Sequence, residues 1–179
     1  MVPIVETILL CGRLGIALRG HRDDGELSFN NAIVGMEGNF RALLAFRVQS
    51  GDVALSHHFS NASKKATYIS KRIQNELIDL CGNEILEQIV KQILTCNCFV
   101  ILTDETSDAS HAEQLCICIR YVKSNAVIKE QFLGFANLDD LWVSSIAHEI
   151  LARLASLGIS IKSCVGQGYD GASVMCSGR

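Results

Sequence analysis

At Asn97 the hydrophobic period of this chain changes, and that change limits the folds open to it. Before it, apolar residues recur at helical spacing. Ile73, Leu77, Leu80, Ile85, Ile89 and Ile93 return about every four residues up to Leu94. Ser70 stands where an N-cap belongs. Gly82-Asn83 is expected to kink or divide this helix. NFRALLAFRVQSG (39–51) repeats the pattern through Phe40, Leu43, Leu44 and Val48, and 5–19 reads as a short apolar helix ending at Gly20. HRDDGE reads as a loop and NASKKATYIS as a polar linker. Residues 1–97 are therefore expected to form a helical region.

Beyond Asn97 the pattern is that of strands. CFVILTDETSD is a continuous apolar run, Phe99 to Leu102, closed by polar and acidic residues, as expected of a strand buried on both faces. QLCICIRYV (114–122) alternates, KSN is a turn, and AVIKEQFLGFANL (126–138) completes a hairpin. LWVSSIAHEILARLASLG (141–158) returns to helix, with Ile146, Ile150, Leu151, Leu154 and Leu157 in one stripe and Gly158 as its stop. ISIKSCV (159–165) is a strand again. Three antiparallel strands, a crossover helix and a parallel fourth strand open a ribonuclease-H-like α/β fold, which predicts a partial core of that kind over 98–179. A right-handed crossover lays the return strand beside the first and parallel to it. Asp104 closes the first strand and Asp170 the fourth, so this topology predicts that they share one pocket.

Two carboxylates at neighbouring strand ends suit hard cations such as Mg²⁺ or Mn²⁺. In two-metal phosphoryl transfer such ions activate the attacking oxygen and stabilise the leaving one, and a third acid usually completes the set. A strand-end cluster such as DETSD on its own reads as a solvated loop. Asp104 is its strongest candidate because it lies nearest the apolar run, with Glu105 and Asp108 as helpers or bystanders. GQGYDGASVM (166–175) has two functional readings beside the plain one, a glycine turn with no function. As Gly166-x-Gly168-x-x-Gly171 it spells a dinucleotide-binding turn, but that turn needs a helix after it and an acid about 20 residues on. Only eight residues follow Gly171, and the strand before it is the fourth rather than the first. The preferred reading is a loop that presents Asp170. His57 and His58 read as surface or helix-end residues, and Trp142 and Phe135 as core rather than base-stacking platforms.

Charge narrows the partners. The formal net charge is −3, and residues 101–179 hold 9 acidic against 6 basic side chains. Such a chain does not grip nucleic acid through its own electrostatics, so another segment must supply that grip if DNA is the substrate. Hydrophobic residues make up 49% of the chain, enough for a buried core, yet no apolar stretch is long enough for a membrane span. Glu6 and Arg13 interrupt the apolar start, which argues against a secretory signal. The eight cysteines form no CxxC pair; Cys96/Cys98 and Cys116/Cys118 are each two apart. They read as buried structural thiols of a reducing compartment rather than as metal ligands.

IALRGH (16–21), GNFRALL (38–44), NASKKATYISKRIQNELI (61–78), FVILTDETSD (99–108), EQLCICIRYV (113–122), FLGF (132–135) and GQGYDGASVMCSG (166–178) together resemble the transposase-derived domain of the hAT superfamily, in the branch found in MYM-type zinc-finger-like proteins. The resemblance implies a ribonuclease-H-like transposase core with an Asp-Asp-Glu triad, Asp104 first and Asp170 second, holding Mg²⁺ or Mn²⁺ in the complete protein. Members of that family carry the glutamate much further on, and this chain stops before it. It also implies an N-terminal zinc finger and a C-terminal dimerisation region, neither of which is visible here. The expectation is a fragment of a nuclear, DNA-acting transposase or its derivative that is inactive alone. On its own it would bind DNA weakly or not at all, with protein partners or self-association open to it and no membrane. The alternative is a domesticated nuclear scaffold that binds proteins without catalysis.

Overall fold

The computed structural model describes residues 1–21, 23, 27, 37–63, 66–107, 112–123, 125–138 and 142–169. The chain divides into two compact units, Met1–Glu84 and Ile85–Arg179.

The first unit is helical. It contains α1 (Val2–Leu14), α2 (Asn39–Gln49), α3 (Val53–Asn61) and the start of α4 (Lys71–Leu94). Ile4 and Ile8 of α1, Phe40 and Leu44 of α2, Leu55 of α3, and Ile69 and Leu77 form its core. Helix α1 stops at Gly15 rather than at Gly20. Gly15 is left-handed (φ 63°), and Ile16 N–H donates back to the Cys11 carbonyl at 2.9 Å, closing the last turn. The segment between 51 and the polar linker holds a helix, α3, that the hydrophobic pattern alone does not single out. The Asp52 side chain caps it, accepting from Leu55 N–H at 2.9 Å.

Helix α4 begins as expected, with Ser70 Oγ accepting from Ile73 N–H at 3.4 Å. It runs unbroken through Gly82-Asn83. A mid-helix glycine costs only about 1 kcal/mol relative to alanine, too little to break a 24-residue helix. Arg72–Glu76 and Lys91–Glu87 ion pairs one turn apart add a little along its exposed side.

The second unit is a four-stranded sheet with α5 (Val143–Ser156) packed on one face. The strands are β1 (Phe99–Ser107), β2 (Glu113–Val122), β3 (Ile128–Asn137) and β4 (Cys164–Tyr169), in the order β3-β2-β1-β4. β1–β2 and β2–β3 are antiparallel and β1–β4 is parallel. This is the three-plus-one arrangement expected of a ribonuclease-H-like opening, with α5 as the crossover. Phe99, Ile101, Leu115, Ile117, Ile119, Tyr121 and Leu133 of the sheet meet Ile146, Ile150 and Leu154 of α5 in one core.

Three local expectations are corrected. β1 is not buried on both faces: Phe99, Ile101 and Thr103 are buried, whereas Val100 and Leu102 are half-buried and Asp104 is exposed. DETS is part of this strand, not a loop after it, because it pairs with Glu113–Cys116 of β2. The return strand starts later than expected, after a single 3-10 turn at Ile161–Ser163, and it includes Gly166 and Gly168. These glycines are therefore strand residues opposite Val100 and Leu102, not the beginning of a loop.

Candidate acidic site at the β1–β4 junction

The site is built by strand alternation. Side chains of successive residues leave a strand on opposite faces. Thr103 faces the α5 side and is 5% exposed, so Asp104 faces the open side and Glu105 turns back toward the core side. The Asp104 backbone pairs with Cys116 of β2. Among the described residues its carboxylate has no hydrogen-bond or ion-pair partner. Glu105 is different: one of its carboxylate oxygens is buried without a partner, as is Thr103 Oγ1. Of the acids read as candidates in DETSD, Asp104 and Glu105 thus lie on opposite faces, which separates Glu105 from any ion held by Asp104. Asp108 lies outside the described residues.

On its other side β1 meets β4. Thr103 pairs with Tyr169, the last described residue of that strand. Asp170 lies outside the described residues. The parallel register expected from the crossover rule is present up to the position before each acid: Thr103 precedes Asp104 and Tyr169 precedes Asp170. The Tyr169 hydroxyl donates to Gln167 Oε1 at 2.9 Å, and burial pushes its pKa up.

Of the two strand glycines, Gly168 has a steric explanation. A Cβ at Gly168 would stand 2.8 Å from Leu102 Cδ2, whereas one at Gly166 would meet Val100 at an ordinary 3.5 Å. Because Gly166 and Gly168 are extended strand residues, the phosphate-cradle reading loses the turn it requires.

An exposed carboxylate on a strand is the kind of donor that Mg²⁺ or Mn²⁺ prefers. Among the described residues no three His, Cys, Asp or Glu side chains converge as a ready metal site. Asp104 therefore fits such an ion by donor type and exposure, as one ligand of a set.

The open face also holds residues that reading the sequence did not assign to it. Phe135, which the sequence pattern puts in the core, is 54% exposed, and Phe132 is 46% exposed. They pair with Cys116 and Cys118, so they share the face of Asp104, and their rings meet edge-on at 4.9 Å. A bulge beside Gly134 puts both phenylalanines, three apart in sequence, on the same side. Trp142, also expected in the core, is 73% exposed just before α5. His57 is exposed on α3, and His58 stacks on Tyr68, in keeping with the surface reading of both.

Residues 1–178 match the family model DUF4371, described as the ZMYM1/FAM200 RNase-like domain. Among curated proteins the chain is similar to the human 52 kDa repressor of the inhibitor of the protein kinase, 27% identical over 170 residues, covering 93% of this chain and 21% of that protein. It is similar to the mouse protein of the same name, 26% identical over 168 residues, with the same 93% and 21% covered. The chain thus spans about a fifth of the length of these relatives. No solved structure matches it. The family match extends over both the helical unit and the sheet and bears out the resemblance to a transposase-derived domain. The chain belongs to the ZMYM1/FAM200 RNase-like domain family.

Proposed function

We propose that this domain is the part of a hAT-type, transposase-derived core that supplies two acids, Asp104 and Asp170, to a divalent-metal site for DNA strand cleavage and transfer. The single observation that supports this reading is the parallel β1–β4 pair: Thr103 and Tyr169, the residues preceding the two acids, are cross-strand partners. Asp104 adds an exposed carboxylate with nothing bound to it among the described residues. Bound Mg²⁺ or Mn²⁺ would supply Lewis-acid activation of the attacking oxygen and charge neutralisation at the phosphate. The chain's own part is to bring the segments that carry the two acids side by side through the β1–β4 pairing, with the face of Asp104 open to a substrate. Two carboxylates make a weak site, so this chain by itself binds metal weakly and does not cleave DNA. The complete protein acts in the nucleus, with other segments gripping the DNA.

A second reading is a nuclear scaffold without chemistry. The exposed Phe132–Phe135 pair favours it, as does the description of the relatives as repressors. Thermal unfolding with and without Mn²⁺ separates the two. A ligand that binds the folded state raises its melting temperature. The catalytic-core reading predicts a rise with millimolar Mn²⁺ that is lost in both Asp104→Ala and Asp170→Ala. An equal rise, or none, in all three proteins supports the scaffold.

A further inference from the structure

The open face of the sheet carries a second donor set that the acidic site does not use. Cys116 and Cys118 are two apart on β2, so both leave it on the same side. Their Sγ atoms are 3.9 Å apart. Two thiolates bound to one tetrahedral ion at about 2.3 Å each are held about 3.8 Å apart. The sulfurs thus already stand at the bite of a two-tooth chelate. Neither is tied up in a disulfide, and both are half-buried rather than sealed in the core. On the β3 side they are flanked by their partners Phe135 and Phe132, and on the β1 side by Asp104 and Leu102.

We infer that Cys116 and Cys118 form a bidentate site for a thiophilic divalent cation of the zinc or cadmium type. Binding forms two metal–sulfur bonds and releases the two thiol protons to solvent, with no change of oxidation state. Solvent completes the coordination, since among the described residues no third ligand converges with the pair. The site differs in kind from the acidic one, because thiolates select soft cations and carboxylates hard ones. Burial, with Cys116 adding to it, pushes the Cys118 thiol up to about 11. Cys118 therefore holds its proton until a cation displaces it.

The test is a titration of the reduced 179-residue chain with cadmium chloride without oxygen, followed by the ultraviolet absorption of cadmium–thiolate bonds. One cadmium ion per chain with two sulfur bonds is expected. The band falls by half or more in Cys116→Ser and in Cys118→Ser, and persists in a Cys96→Ser/Cys98→Ser double variant and in Asp104→Ala. A measurement on the unaltered protein guards against misfolded variants: cadmium should protect Cys116 and Cys118 from maleimide labelling, read by peptide mass spectrometry. Absence of the band, protection of other cysteines only, or loss of the band in Asp104→Ala would each overturn the assignment.

Discussion

The guanidinium of Arg153, on α5, lies over the β3 bulge at Gly134. Its Nε donates to the Leu133 carbonyl at 3.2 Å and its Nη2 donates to the same oxygen. Gly134 has φ 141°, and a Cβ there would stand 2.7 Å from Arg153 Nη2. The bulge and the helix are thus fitted to each other. The bulge turns a backbone carbonyl to the helix, and the missing side chain makes room for the cation.

Gly134→Ala should therefore destabilise the sheet unit by about 1–3 kcal/mol, through backbone strain and the clash together. Arg153→Ala should cost about 1.5–3 kcal/mol, the range for a lost hydrogen bond from a charged group. The double variant should cost less than the sum, because alanine at 153 removes the clash. Urea unfolding of the four proteins measures this coupling.

The two strand glycines should respond differently to alanine. At Gly166 the added methyl meets Val100 at ordinary distance, and glycine in a strand gives up about 0.5–1 kcal/mol to entropy, so Gly166→Ala should be neutral or mildly stabilising. At Gly168 it meets Leu102 Cδ2 at 2.8 Å, the far end of a flexible, half-buried side chain that has to turn aside, so Gly168→Ala should cost about 0.5–1.5 kcal/mol and recover in part with Leu102→Ala. Melting temperatures rank the variants.

The helical unit should lose stability in acid. Asp52 is held below the usual carboxylate range, mainly by the Leu55 N–H it caps and further by Arg47. Asp23, buried 2.8 Å from Lys71 Nζ, is held down by that lysine. A carboxyl with a lower pKa when folded binds its proton more weakly in the native state. Its contribution is therefore complete above the unfolded value, about 3.9, and disappears as pH falls through the lower native value. Helical circular dichroism followed from pH 7 to 2 should show this loss. Asp52→Asn, which still caps but cannot pair with Arg47, should show a smaller acid-dependent loss than the parent chain.

Much of this architecture is readable from residue patterns because the signals are local and redundant. The isoleucines and leucines of α4, with the Ser70 cap, specify one long helix. The Phe99–Leu102 run, the alternation of QLCICIRYV and the stripe of α5 specify strands and a crossover, and handedness then puts β4 beside β1. What pattern reading misses has tertiary causes. Glycine favours turns, so Gly166 and Gly168 look like a loop until Leu102 is seen to occupy the space that a side chain at 168 would need. Alternation predicts that Phe135 faces somewhere, but not that the bulge at Gly134 sends it to the open side with Phe132. Helix α3 is short, and only Asp52, three residues before Leu55, marks its start. The position of Asp104 after the apolar run marks it as a candidate, and strand alternation explains why it, rather than Glu105, faces the open side.

The central claim is that Asp104 and Asp170 share one divalent ion. Free Mn²⁺ gives a strong electron paramagnetic signal that is lost on binding, so titrating the wild-type chain, Asp104→Asn, Asp170→Asn and the double variant counts sites directly. If the claim holds, each single substitution weakens the same site at least tenfold and the double variant is no worse than either. Unchanged Mn²⁺ binding in the single variants, or losses that simply add in the double, would contradict it.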